Sequence, residues 1–378
     1  MKPAPLLATL VILAIVASLI IWNTKAPPRD SLDPAPLPPS DDFFGDIEEP
    51  GPVVLLEGPL VPHEDMVQFV EKHLKRRFRK PPVFTPVPAI EIIEREKELL
   101  SAWDRLEETG RFFEAMGWNH EFTPLLDNLI TIRVGEVRGY LNGEENWILH
   151  DFQPDDPRDQ VALVELLARR LATEQLPPLP PQAAPATILA RQHLIATLGV
   201  STRKAFDKTL PPSKPSLHEN IRESLMMSVP VFFYELASYP EFQILPHLKR
   251  PEVPLAFTDR EAANDAHALL QLPEQKPTFT QYSFGPTILH ILLYQSEEPN
   301  SVRPLAATLR GDKLEENEEG FLWTLVFSNA DAARQVHQVL SQSPTEPTKP
   351  PRRYEQQGNE VTIAVALPTE DGENLPTR

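Results

Sequence analysis

The chain reads as an α+β protein: a mostly helical body with a small antiparallel sheet, preceded by an N-terminal transmembrane helix and a proline-rich linker. Three observations predict this. Apolar residues recur at helical spacing in several separate stretches of the 378 residues. An Asn142-Gly143 turn stands between Gly139-Tyr140-Leu141 and Trp147-Ile148-Leu149, the pattern of a hairpin. The 43 prolines are about twice the usual share of roughly 5% and cut the chain into separate elements. With only 14 Gly and 41% hydrophobic residues, the chain is neither collagen-like nor wholly disordered.

The first element is an uncharged run, residues 6–22 (LLATLVILAIVASLIIW), flanked by Lys2 before and by Lys25 and Arg29 after. Its length is at the lower end of what spans a bilayer. A cleaved secretory signal with Ala14-Ile15-Val16-Ala17 as its small-residue site is the alternative. Against it, Leu19 to Trp22 continue the apolar run beyond that site, and a terminal Trp suits the membrane interface. Either reading places the body outside the cytosol: on the inner membrane as a single-pass, periplasm-facing protein, or secreted. Residues 26–62 hold ten prolines, which prevent helix and favour a stiff spacer; residues 53–56 could pair as a short strand.

In the body, residues 63–78 have Met66, Phe69, Val70 and Leu74 at helical spacing. A longer helix is expected over 89–108, with Ile92, Ile93, Leu99, Leu100, Trp103 and Leu106 on one face. Residues 129–134 alternate and predict a strand beside the 139–149 hairpin. Residues 158–175 predict a strongly apolar helix with Val161, Val164, Leu167 and Leu171 as a core stripe. Further helices are expected at 187–198, within 217–238, and from a Thr258-to-Glu261 capping box to Leu270. A strand at 322–327, a helix at 331–341 and a strand at 361–367 close the chain. The loop 344–351 and the acidic tail 368–378 complete it.

Several chemistries are excluded. No cysteine is present, so there are no disulfides, thiolate metal sites or thiol nucleophiles. A net charge of −18 argues against a nucleic-acid partner. Of the ten histidines no two stand at i, i+4, and Walker, G-x-S-x-G and G-x-G-x-x-G motifs are absent. The pairs Glu144-Glu145, Glu297-Glu298 and Glu315-Glu316 read as solvated faces.

Between residues 134 and 252 the order of features resembles a bacterial gluzincin-type zinc metallopeptidase family. There a hairpin A-G-Y-Y-D-P leads into a helix H-E-L-T-H-A-L-Q-D-Q, then a helix A-L-V-E-G-D-A, then a segment like S-T-E-Q-I-L-H-P-x-K. Here the hairpin is VRGYLN (137–142), the helix VELLARRLATEQ (164–175), the next helix HLIATLG (193–199) and the late segment EFQILPHLK (241–249). The resemblance implies that Val164 and Ala168 occupy the first two zinc-ligand positions and Ala196 the third. Only the general-base position keeps its carboxylate, as Glu165. Hydrocarbon offers a metal no lone pair, so the resemblance implies a catalytically inactive relative with no metal and no cofactor.

The expected organisation is a membrane anchor or signal (1–25), a linker (26–62), a metallopeptidase-like α+β domain (63–343) and a proline-rich loop, closing strand and tail (344–378). The expected role is a binding or scaffolding module, tethered to the membrane by its N-terminal helix. A peptide or protein partner is expected in the former substrate cleft. Two alternatives stay open: an enzyme, either a hydrolase using other acidic residues or a metallopeptidase whose ligands lie elsewhere, such as His193 with His218, and a purely structural envelope protein.

Overall fold

The structure, a computed structural model, describes residues 55–101, 105–119, 125–136, 138–142, 145–176, 185–211, 224, 226–247, 283–342 and 352–366, all within one compact unit. The architecture is α+β, with ten helices and seven strands named here. In chain order they are α1 (Glu64–Leu74), β1 (Thr85–Val87), α2 (Ala89–Ser101), α3 (Leu106–Ala115), α4 (Leu125–Glu136), β2 (Gly139–Asn142), β3 (Glu145–Leu149), α5 (Pro157–Gln175) and α6 (Pro185–Asp207). Next come α7 (Val231–Tyr239), running into a π turn (Pro240–Ile244), then α8 (Gly285–Tyr294), α9 (Pro299–Ala306), β4 (Leu309–Asn317), β5 (Gly320–Phe327), α10 (Ala330–Gln342), β6 (Arg352–Gln357) and β7 (Glu360–Ala366).

Helix α5 is the hub of the first half. The Asp156 side chain accepts from Arg158 N (2.8 Å) and Pro157 opens the first turn, the two strongest start signals a helix can carry. Of the expected stripe, Val164, Leu167 and Leu171 are fully buried and Val161 is half-buried. Val164, Leu167 and Leu171 pack with Met66, Val67, Val70 and Leu74 of α1, Ile148 of β3 and Leu198 of α6. Helix α1 stops at Leu74, short of the expected 78, because Lys75 turns left-handed (φ 51°) and its N–H closes on Glu71 and Lys72.

Hairpin β2–β3 forms as expected, but the sheet around it is mixed rather than purely antiparallel. Its third strand is β1, parallel to β3 with Thr85 opposite Trp147, in the order β1-β3-β2. One face packs on α5. The other, with Tyr140, Leu149 and Val87, packs on Ile92 of α2. The segment 129–134 is not a strand but the body of α4. Its β-branched residues favour a strand locally, yet Leu125, Asn128 and Ile132 are the buried positions at i, i+3, i+7. Burying that face outweighs the intrinsic preference. The single helix expected over 89–108 is two, α2 and α3, and α3 continues to Ala115 to bury Phe112 and Phe113. Trp103 lies outside the described residues.

The end of the expected linker already belongs to the body: Leu56 N donates to His150 O (2.8 Å), and Leu60 bridges Phe84. The apolar run 6–22, the capping box at 258–261, the loop 344–351 and the tail 368–378 lie outside the described residues. Among the described residues no helix is long and apolar enough to cross a membrane.

The second half is a four-stranded antiparallel sheet, β4-β5-β7-β6, covered by α10 and α8. Strands β5 and β7 and helix α10 match the expected strand–helix–strand, and they share the main core rather than forming an appendage. Strands β4 and β6 and helices α8 and α9 were not expected. Phe321, Trp323, Leu325 and Phe327 point inward with Val361, Ile363 and Val365. Between β4 and β5 the chain turns at Gly320, where φ is +144° and a Cβ would sit 2.1 Å from Val365 O, so only glycine fits.

Strand β4 carries a bulge at Arg310, where the register shifts between Leu309 and Gly311. Simple alternation from Leu309 would send Asp312 outward. The extra residue turns it in, alongside Leu314. The buried Asp312 carboxylate then accepts from Phe284 N (2.7 Å), Gly285 N (3.1 Å) and Trp323 Nε1 (2.9 Å), capping α8 from another element. Ser283 Oγ donates to Asp312 O, and Ser283 O accepts from Ala186 N at the start of α6. Burial pushes the Asp312 carboxyl up to about 6, against the downward pull of the three N–H groups.

Replacing Asp312 by Ala strands three buried donors and is expected to destabilise the fold by about 3–5 kcal/mol in chemical denaturation. A loss under about 1 kcal/mol would contradict the cap. The folded chain holds the Asp312 proton up to about pH 6 and the unfolded chain only to about 4. This group's contribution to stability therefore falls as pH rises from about 4 to about 6 and is flat above. Asp312→Asn removes that slope, which a pH series of denaturation midpoints measures.

Candidate functional site

The positions singled out by sequence fall on the antiparallel pair α5 and α6, whose faces pack along their length. Val164 and Ala168 are fully buried in the apolar cluster that α1 seals. Ala196 is buried on α6. It shares a helical stripe with Gly199 and Arg203 (i, i+3, i+7), and both of those meet Glu165.

Glu165 is 4% exposed and does not stand alone. Arg169, one turn on, donates to Glu165 Oε1 from Nη2 (2.6 Å) and Nε (3.1 Å). Arg203 Nη1 of α6 lies 3.3 Å from Glu165 Oε2. Arg203 Nη2 also donates to Glu241 Oε2 in the π turn (3.0 Å), and Lys204 Nζ reaches Glu241 Oε1 (2.9 Å). Two carboxylates and three cations thus form a chain that staples α5, α6 and the π turn. Gly199 makes room for it: a Cβ there would lie 2.7 Å from Arg169 Cγ and 3.1 Å from Glu165 Cγ.

A general base needs a free lone pair facing a substrate or a polarised water. Glu165 instead has cations on both oxygens and lies beneath the surface. Among the described residues no group of three His, Asp or Glu side chains could hold a metal ion.

A second polar cluster lies where α6, α7 and α8 meet. The His193 ring stacks on Tyr239 (centroids 5.4 Å apart), and Tyr239 Oη lies 2.6 Å from His290 Nδ1. His290 Nε2 is 2.9 Å from Pro299 O, a pure acceptor, so Nε2 donates there and, in the neutral ring, Nδ1 accepts the hydrogen bond of the Tyr239 hydroxyl. Burial raises the Tyr239 hydroxyl well above its ordinary value, as it does for Tyr294, which also donates to Glu235 Oε2 (2.8 Å). These hydroxyls are hydrogen-bond donors at neutral pH, not nucleophiles. His218, the sequence partner considered for His193, lies outside the described residues.

A third buried carboxylate, Asp159, pairs with Arg138 Nη1 (2.8 Å) and accepts from Gln153 N (2.6 Å), joining β2 to α5. Burial raises its pKa to about 6 despite both partners. Of the adjacent glutamates, Glu316 takes both guanidinium donors of Arg111, and Glu315 pairs with Lys313. Sequence reasoning missed Arg203, Glu241, Tyr239 and His290. Only Arg169 carried a legible signal, its i, i+4 spacing from Glu165.

Compared with family models, characterised proteins and solved structures, the chain finds no match in any of the three.

Removing the Glu165 side chain leaves two guanidinium groups facing each other in a largely dry site. Glu165→Ala is expected to cost about 3–5 kcal/mol of folding stability, and Glu165→Gln less, because the amide oxygen still accepts. Equal stability of Glu165→Ala and the parent chain would show that the staple contributes nothing.

Proposed function

We propose that the chain is a membrane-anchored, envelope-facing relative of gluzincin-type metallopeptidases that has lost catalysis and acts as a binding or scaffolding module. One observation carries the reading. The carboxylate at the general-base position, Glu165, is bound by Arg169 and Arg203, while the two ligand positions beside it, Val164 and Ala168, are hydrocarbon inside the core. Ion-paired and buried, Glu165 holds two helices together, with both carboxylate oxygens facing guanidinium groups.

The order of elements supports the kinship. A short hairpin leads directly into α5, α6 follows and packs against it, and the 241–249 segment begins at the glutamate that completes the ion-pair chain. The anchor rests on the uncharged 6–22 run and the linker behind it, which would hold the body at a short distance from the bilayer. A peptide partner in the former cleft would have to displace α1, whose Met66, Val67, Val70 and Leu74 fill the same cluster as Val164 and Ala168. A partner docked on the outer surface would not.

Full-length protein in detergent micelles, given zinc and a quenched-fluorescence peptide library, is expected to show no turnover above buffer. Turnover that Glu165→Gln abolishes would overturn the reading. Alkaline carbonate extraction of membranes is expected to leave the chain in the pellet; its release into the supernatant would contradict the anchor.

A further inference from the structure

The chain carries a net charge of −18, yet six of its 36 Lys and Arg crowd into residues 72–80: Lys72, Lys75, Arg76, Arg77, Arg79 and Lys80. All six are exposed, and among the described residues none of these side chains has an ion-pair or hydrogen-bond partner. The backbone beneath them is fixed. Lys75 holds the left-handed turn, Arg76 N donates to Glu71 O (3.1 Å), and Phe78 N donates to Glu71 Oε1 (2.9 Å). Leu74 and Phe78 are buried against the α1–α5 cluster, so the intervening cations must face outward.

Exposed aliphatic side chains stand beside this turn. Val83 follows Lys80 by three residues, no more than about 11 Å even fully extended. Val61 flanks it across the Leu60–Phe84 bridge, and both valines are exposed. From this geometry we infer that residues 72–80, with Val61 and Val83 at the rim, dock on anionic phospholipid headgroups of the membrane that holds the chain. Cations meet the phosphates while the valines enter the boundary between headgroups and acyl chains. A nucleic acid would gain nothing from the valines, which a lipid boundary buries. The inference rests on the anchor reading for its tether: the linker joins the body by Leu56, sixteen residues before Lys72, which keeps the patch at high effective concentration near the bilayer.

The test is amine acylation of Lys75 and Lys80, read by mass spectrometry, on full-length protein reconstituted into vesicles. The vesicles are phosphatidylcholine alone or with about one third phosphatidylglycerol. On the anionic vesicles both lysines are expected to react about fivefold or more slowly, and about 0.5 M salt should restore the rate. The Arg76→Gln, Arg77→Gln, Arg79→Gln variant should lose the protection. Equal labelling on the two lipids overturns the docking face alone, and so does protection by polyglutamate where anionic vesicles give none, which points instead to an acidic protein partner. Failure of the chain to float with phosphatidylcholine vesicles overturns the anchor on which the inference rests.

Discussion

Asp312 is the constraint on which the second half of the structure depends. Its carboxylate sits at the N-terminus of α8, a helix buried on all sides, whose first N–H groups would otherwise be buried without acceptors. Its Oδ2 also holds the indole of Trp323, part of a ring cluster centred on Phe112 with Phe284 and Phe321. Through Ser283 the site also fixes the start of α6. Strand, buried helix and long helix thus meet at one residue, whose side chain caps α8 while its carbonyl holds Ser283, and the Arg310 bulge aims that side chain inward. Ionising it so far from solvent is costly, which is why its carboxyl gives up its proton only near pH 6.

The first half is organised around a different charge, Glu165, by the same logic. A carboxylate on a buried helix face must be paired, and here two arginines do so, one supplied locally and one from α6. Gly199 lets the helices approach closely enough for that geometry. Fully paired on a closed interface, Glu165 is suited to specifying how α5 and α6 meet and unsuited to proton transfer.

What the sequence disclosed followed from local rules. Helix α5 is legible in its apolar stripe and the hairpin in Asn142-Gly143. Helix α4 was misread because Ile130, Ile132 and Val134 carry strand propensity that packing overrides. Helix α8 shows no amphipathic period, since every residue from Gly285 to Leu293 is buried. Strands β4 and β6 are edge strands whose inward positions include small or polar residues (Gly311 and Asp312 at the bulge, Arg352 and Gln356), which hides their alternation. At the candidate site, Glu165 and Arg169 were visible as a helical pair. Arg203 and Glu241, separated from them in sequence, are brought in only by the packing of α6 and the π turn.

The most direct measurement is the divalent-metal content of the full-length chain, purified without chelator and analysed by inductively coupled plasma mass spectrometry. If hydrocarbon and ion pairs have replaced the metal site, zinc should be far below one atom per chain and should not rise after incubation with excess zinc and removal of the unbound ion. One tightly held zinc per chain, lost together with folding stability on chelation, would contradict the account.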